Sequence, residues 1–230
     1  MLVWKEISAR LDRVRERIAQ AQARTGRPPG SVRLVLASKT QPSTAIAAAC
    51  AAGAREFGEN YVQEAVEKRP GLAAYADIRW HLIGHLQSNK ARLAAVNFDL
   101  IQTLDSERLA TTLNRIRPSI PVLLEVKLGD EPGKNGVAPG EVERLIEKTR
   151  ELVKIQGLMT IPPLTVDSER ARPYFAQLRD LRDRLASISG LELRELSMGM
   201  TEDFEIAIEE GATIVRVGRA VFGERQAQSS

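Results

Sequence analysis

Carbonyl chemistry needs an amine that can shed its proton, and the chain offers one in Lys39, at the far end of the stretch SVRLVLASKT, residues 31–40. Val32, Leu34, Val35 and Leu36 form a short apolar run rich in β-branched residues, which reads as a strand buried on both faces. A lysine where such a strand opens into a loop is partly desolvated. Desolvation lowers an amine's pKa and exposes its lone pair, which suits it to Schiff-base formation with a carbonyl compound. Read alone, the stretch also fits an ordinary solvated lysine. Two distant segments carry residue types suited to an anion. Ser197-Met198-Gly199-Met200-Thr201 is a small-residue turn leading into a helical stretch whose first turn contains Glu202 and Asp203, and Gly218-Arg219-Ala220 follows a strand-like run. Glycine lets the backbone approach an anion closely, and N–H groups at helix starts point at it.

The elements that would position these residues alternate along the chain. Residues 2–24 place Leu2, Val3, Ile7, Leu11, Val14 and Ile18 at helical spacing, closed by Gly26 and Pro28-Pro29-Gly30. Strand-like runs then follow at residues 32–38, 56–58, 78–84, 100–104, 122–126, 155–159, 192–196 and 214–217. Between them lie helical stretches at residues 42–52, 60–68, 88–96, 106–116, 139–152, 168–187 and 201–210, with Ser106 and Ser168 as N-cap candidates and Pro42 just inside a helix start. Alternation of this kind implies parallel pairing through crossovers. The expected fold class is α/β, a single (β/α)8 TIM barrel with an extra N-terminal helix, over one domain of residues 1–230 with a short tail at 226–230. A doubly wound open sheet is the alternative.

In a barrel, chemistry sits at the C-terminal ends of the strands, and phosphate is often held by the loops after strands 7 and 8. Strand 8 neighbours strand 1 on closure, so an anion beneath those two loops would lie within a small molecule's length of Lys39. A phosphate-bearing aldehyde that condenses with lysine describes pyridoxal 5'-phosphate. Arg216, in the apolar run Ile214-Val215-Arg216-Val217, then gains a role. If it points inward, its guanidinium can donate to the pyridine nitrogen and keep that nitrogen unprotonated, making the ring a poor electron sink.

The totals exclude other classes. A net charge of +3, from 33 basic and 30 acidic residues scattered along the chain, gives no field for nucleic acid. The single cysteine, Cys50, sits in an Ala-rich helical stretch and reads as a small buried hydrophobe. No apolar stretch approaches the length of a membrane span, and the start Met-Leu-Val-Trp-Lys-Glu lacks the pattern of a signal peptide, so a cytoplasmic protein is expected. His81 and His85 flank Ile83-Gly84 at a strand end, a spacing that does not set both rings on one face. Buried, hydrogen-bonded histidines or ring packing beside a cofactor are expected there, rather than a metal site.

Over nearly its whole length the chain resembles the pyridoxal-phosphate homeostasis proteins (YggS/PROSC family), which share a barrel with the N-terminal domain of alanine racemase. The resemblance rests on Ala37-Ser38-Lys39-Thr40, on residues 57–64 (FGENYVQE) and 80–90 (WHLIGHLQSNK), on Gly157-Leu158-Met159-Thr160, on residues 196–203 (LSMGMTED), and on Val215-Arg216-Val217-Gly218. It implies that Lys39 carries the cofactor as an internal aldimine, that Asn60 lies close to it, and that Ser197 and Thr201 belong to the phosphate loop. It also implies that Gly218 and Arg219 offer backbone donors to phosphate and that Arg216 faces the pyridine nitrogen. Two departures stand out. Position 219, often Ser or Thr in relatives, is Arg here, which removes a hydroxyl contact and adds charge. Residues 127–136 (KLGDEPGKNG) depart from the usual Asn and Ser-Lys-Ser-Gly pattern, leaving Lys134 and Gly136.

A racemase needs an acid/base group on each face of the substrate. Tyr61, Tyr75 and Tyr174 all read as helical, and none stands at a strand end where it could face the ring. The expectation is therefore a protein without catalytic residues that holds pyridoxal 5'-phosphate and hands it over, and the resemblance implies a role in intracellular homeostasis of the cofactor and of vitamin B6. Apo-forms of pyridoxal-phosphate enzymes are its expected recipients, and a monomer or weak dimer its expected state. An amino-acid racemase is the alternative, and an aldimine-forming aldolase a weaker third.

Overall fold

The computed structural model describes residues 2–129, 133, 135–163 and 167–223, without the side chains of Leu2 and Val3. Lys134 and the 226–230 tail lie outside the described residues. Eight strands pair in sequence order, all parallel: β1 Arg33–Ala37, β2 Glu56–Glu59, β3 Arg79–Leu82, β4 Leu100–Leu104, β5 Pro121–Glu125, β6 Lys154–Met159, β7 Glu195–Ser197 and β8 Ile214–Val217. β8 pairs back onto β1, with Val35 opposite Arg216 and Leu36 opposite Val217, so the sheet closes into a TIM barrel. An open doubly wound sheet has no such pairing.

Nine helices surround it among the described residues: α1 Leu2–Arg24, α2 Ser43–Ala51, α3 Val62–Lys68, α4 Ala91–Asn97, α5 Glu107–Ile116, α6 Val142–Thr149, α7 Arg172–Ser189, α8 Phe204–Glu209 and α9 Arg219–Phe222. α1 lies across α2, α8 and α9 and buries Ile7, Leu11, Val14 and Ile18, the apolar stripe its spacing predicts. Side chains alternate along each strand. One set fills the barrel interior, where Val35, Leu100, Leu123, Met159 and Ile214 form a compact cluster. The other set, with Phe57, Leu36 and Leu82, meets the helices in a much larger shell that includes Phe98, Phe175 and Phe204.

Several boundaries differ from the sequence expectation, each for a local reason. β7 begins at Glu195 rather than 192, because Leu193 and Arg194 donate their N–H groups to Leu191 and Glu192, tight turns that delay the ladder. The helical stretches at 88, 139 and 168 open as single 3-10 turns before their α-helices. Ser106 occupies an N-cap position without a side-chain cap bond, and at the α7 entry the capping carboxylate is that of Asp167, which accepts from Glu169 N at 3.0 Å. Pro42 stands at the N-cap of α2, one residue before the helix. Tyr75 lies in the irregular connection before β3, not in a helix.

Gly157 in β6 is fixed by space. A Cβ there would sit 1.9 Å from the carbonyl oxygen of Glu195 on β7. Gly157→Ala is expected to cost on the order of 3–5 kcal/mol in chemical denaturation by prising β6 from β7. Gly140→Ala, where a Cβ meets nothing within 4 Å, is expected to stay within about 0.5 kcal/mol.

Candidate functional site

At the C-terminal mouth of the barrel lies a cavity of about 690 Å³ whose lining includes Lys39, Asn60, Thr201, Arg216, Gly218 and Arg219. Six of the seven residues singled out in the sequence thus meet around one space. The seventh, Ser197, is fully buried beneath it, where its hydroxyl accepts from Arg216 Nη1 at 2.6 Å and donates to Gln102 Oε1 at 2.6 Å. With both of those bonds made inside the barrel, Ser197 supports the arginine rather than lining the cavity. Ala37 and Gly218 explain how the two ends of the site meet. A Cβ on Gly218 would lie 3.0 Å from the Ala37 carbonyl oxygen, a tight approach that glycine relieves where the loop after β8 meets the end of β1, two residues before Lys39.

The lysine stands on a braced strand end. On the outer side of β1, Lys68 Nζ donates to the Ser38 carbonyl at 2.8 Å, to Glu59 Oε1 at 2.7 Å and to Glu64 Oε1 at 2.7 Å, using all three of its donors. Ser38 Oγ also donates to Glu59 Oε1, at 2.7 Å, and Thr40 N donates to Glu64 Oε1. Both neighbours of Lys39 are therefore tied to one buried ionic cluster. Thr40 needs that tie, because its φ of 65° is a left-handed conformation that a β-branched residue rarely adopts. Burial pushes the Glu59 carboxyl above its usual range, against the hydrogen bonds from Lys68 and Ser38 that lower it.

Inward-facing Arg216 is 3% exposed, and desolvation pulls it down to about 10, still protonated at neutral pH. Its Nη2 donates to the Thr160 carbonyl at 2.9 Å. Glu202 and Asp203 also line the cavity. Asp203 Oδ1 accepts from Met200 N at 2.6 Å and is raised by desolvation, while Glu202 pairs with Arg219 Nη2 at 3.2 Å on the exposed rim. The Arg219 side chain is thus drawn toward solvent, and its surface ion pair contributes little to stability. Cys50 is buried, and desolvation pushes its thiol up to about 11, as an inert core residue requires.

His81 is fully buried and bonded on both ring nitrogens, to Glu56 Oε2 at 2.5 Å and to Gln102 Nε2 at 2.9 Å, whereas His85 is half-exposed and lies 3.5 Å from Asp105. Tyr61 is 67% exposed at the rim of a neighbouring cavity. Sequence reading missed Lys68, Gln102 and Glu125. The spacing of Glu64 and Lys68 on one helix turn is a usable signal for the first. A Gln within Leu100-Ile101-Gln102-Thr103-Leu104 is one for the second, since a mostly apolar strand carries a buried amide only when something bonds it.

An amine, a guanidinium and two glycine loops around a cavity this size fit a small phosphorylated aldehyde with a ring between its two ends. Comparison with known proteins agrees. Residues 9–226 match the family model described as alanine racemase, N-terminal domain. The pyridoxal phosphate homeostasis protein of Aquifex aeolicus is 46% identical over 94% of this chain and 97% of its own. That of Escherichia coli K12 is 41% identical over 96% and 97%. Among solved structures, PipY of Synechococcus elongatus with PLP bound superposes with a TM-score of 0.81 at 42% identity, covering 91% of this chain and 100% of its own.

Glu125 supplies a test of the site's electrostatics. Its carboxyl is 8% exposed and its Oε2 has no hydrogen-bond partner among the described residues. Desolvation, with the nearby Asp105 charge, pushes it up to about 7, against the Arg216 charge that lowers it. The folded protein then keeps a proton that the unfolded chain releases near 4.5, so stability is lost as pH rises from about 4.5 through 7, by about 3 kcal/mol. Glu125→Gln cannot ionise. Its melting temperature relative to the parent is expected to rise from no difference at pH 4.5 to roughly 6–12 °C at pH 8 in calorimetry. A difference independent of pH would mean that the carboxyl titrates normally.

Proposed function

We infer what this chain does from the family it belongs to, the pyridoxal phosphate homeostasis proteins built on the alanine racemase N-terminal domain. It binds pyridoxal 5'-phosphate in the cavity at the barrel mouth and takes part in homeostasis of that cofactor. Lys39 holds it covalently. Its neutral Nζ would be the nucleophile toward the cofactor's aldehyde, the group through which such a lysine can hold a carbonyl compound. Thr201 and the backbone at Gly218 and Arg219 receive the phosphate, Asn60 lies beside the ring, and Arg216 donates to the pyridine nitrogen. The bound cofactor supplies an electrophilic carbon and a ring system, while Arg216, keeping its own proton, withholds the proton that would make the ring a strong electron sink.

The observation that carries this reading is that Lys39 and Gly218, 179 residues apart in sequence numbering, line one cavity with Arg216 between them. A carrier is favoured over a racemase by the rest of the lining. None of the three tyrosines lines the cavity, and among the described residues its two carboxylates are engaged, Asp203 by Met200 N and Glu202 by Arg219. Neither is a base poised opposite Lys39. Held on an open face, the cofactor can be passed to apo-forms of enzymes that use it.

Purified protein supplied with the cofactor is expected to show a visible absorbance band that borohydride abolishes and that Lys39→Ala never develops. Incubation with alanine in deuterated water is expected to give no sustained racemisation. Sustained racemisation with deuterium at the α-carbon would replace the carrier reading with the racemase one. A borohydride-trapped substrate adduct on protein freed of cofactor would point instead to an aldolase.

A further inference from the structure

Arg216 is a buried cation whose bonded partners, the Ser197 hydroxyl and the Thr160 carbonyl, are both neutral. From it a single line of hydrogen bonds crosses the barrel. A guanidinium cannot accept, so Ser197 Oγ accepts from Nη1 at 2.6 Å and must spend its own proton elsewhere. It donates to Gln102 Oε1 at 2.6 Å, which fixes the amide so that Nε2 faces His81 Nδ1 at 2.9 Å. An amide nitrogen only donates, hence Nδ1 carries no proton and the ring's proton sits on Nε2. That proton is donated to Glu56 Oε2 at 2.5 Å. Every donor in the line points the same way, from the cation on β8 through β7, β4 and β3 to a carboxylate at the first residue of β2.

Ser197, Gln102 and His81 are 0% exposed and Arg216 is 3% exposed, so water has little access to replace these links. At the far end, burial opposes the Glu56 charge, but the His81 bond and the Arg79 and Arg33 charges hold its carboxyl below the usual range. We propose that Glu56, His81 and Gln102 are positioning residues for Arg216, locking the guanidinium that faces the cofactor ring from the opposite end of the barrel. The proposal rests on the function given above only for its ligand. The line itself is a property of the chain. Without an acceptor at position 56, the His81 proton is released from Nε2. Once it moves to Nδ1, Gln102 must turn its oxygen to His81 and its nitrogen to Ser197. The serine then receives from both sides, and its own proton has no acceptor in the line.

The experiment compares Glu56→Gln, which keeps an acceptor, with Glu56→Leu and Gln102→Leu, which do not keep the line. Two readouts are used. Nitrogen NMR of the His81 ring in protein freed of cofactor reports the tautomer, and the visible band with its rate of loss into excess apo-enzyme reports on the loaded protein. Expected are a proton on Nε2 in the parent and in Glu56→Gln, and its redistribution toward Nδ1 in Glu56→Leu. Glu56→Leu and Gln102→Leu should each show a displaced band and lose cofactor about tenfold faster, the effect of one hydrogen bond to a charged group. Because both break one line, the double variant should be no worse than the worse single. A parental tautomer in Glu56→Leu, an altered tautomer with parental band and retention, or additive losses in the double variant would each overturn the proposal. If Glu56→Leu fails to fold, Gln102→Leu against the parent decides the retention arm, and parental retention overturns the proposal. Absence of a visible band in the parent would instead refute the cofactor reading, while the His81 tautomer would still decide whether the line exists.

Discussion

Closure of β8 onto β1 is the constraint on which the site depends. Parallel pairing sets Arg216 beside Val35 and carries Gly218 against Ala37, two residues before Lys39. Strand alternation then does the rest. Val35, Ala37 and Lys39 share the parity that faces inward, while Leu36 and Ser38 face the helices and the ionic cluster. A shift of one residue in this register would turn Arg216 toward the helices and take Lys39 away from the glycine loop. Packing enforces the register, because the outward set is buried in the large apolar shell and the inward set must fill a narrow interior.

The barrel mouth is expensive to build. Arg216, Glu125 and Asp203 are all desolvated there, and on the outer side of β1 Lys68 sits between two carboxylates. A buried ion cluster seldom adds net stability over apolar packing, but removing one member strands the others. Its benefit here is geometric. Lys68 gathers the Ser38 carbonyl and the two carboxylates that hold Ser38 Oγ and Thr40 N, leaving the backbone on both sides of Lys39 a single conformation. The line from Arg216 to Glu56 plays the same part inside the barrel, one brace on each face of the sheet.

Barrel elements were readable because each short apolar run has to be bounded by polar turns and followed by a helix long enough to cross over. α1 and the strands at 100–104 and 214–217 lie where their patterns put them. β7 starts three residues later than its pattern suggests because Leu191 and Leu193 supply a strand-like pattern in a segment whose backbone bonds turn back on themselves. Ser197 opens a small-residue turn and so has the residue type and setting of a phosphate loop. Its parity on β7 instead buries it under Arg216. Ser106 and Ser168 had the right residue type for capping, yet cap choice is settled by side-chain rotamer and by neighbours such as Asp167.

By itself the sequence determined the alternation of strands and helices, the lysine at a buried strand's end and the arginine within an apolar strand, because these are local patterns of hydrophobicity and residue type. It also carried a family resemblance that named the cofactor. Only the tertiary structure decided that strand 8 returns to strand 1, that Arg216 faces inward, and that Lys68, Gln102 and Glu56 hold the two critical side chains. Closure and burial couple residues far apart in the chain, and the free energy of a buried charge depends on partners that no local pattern specifies.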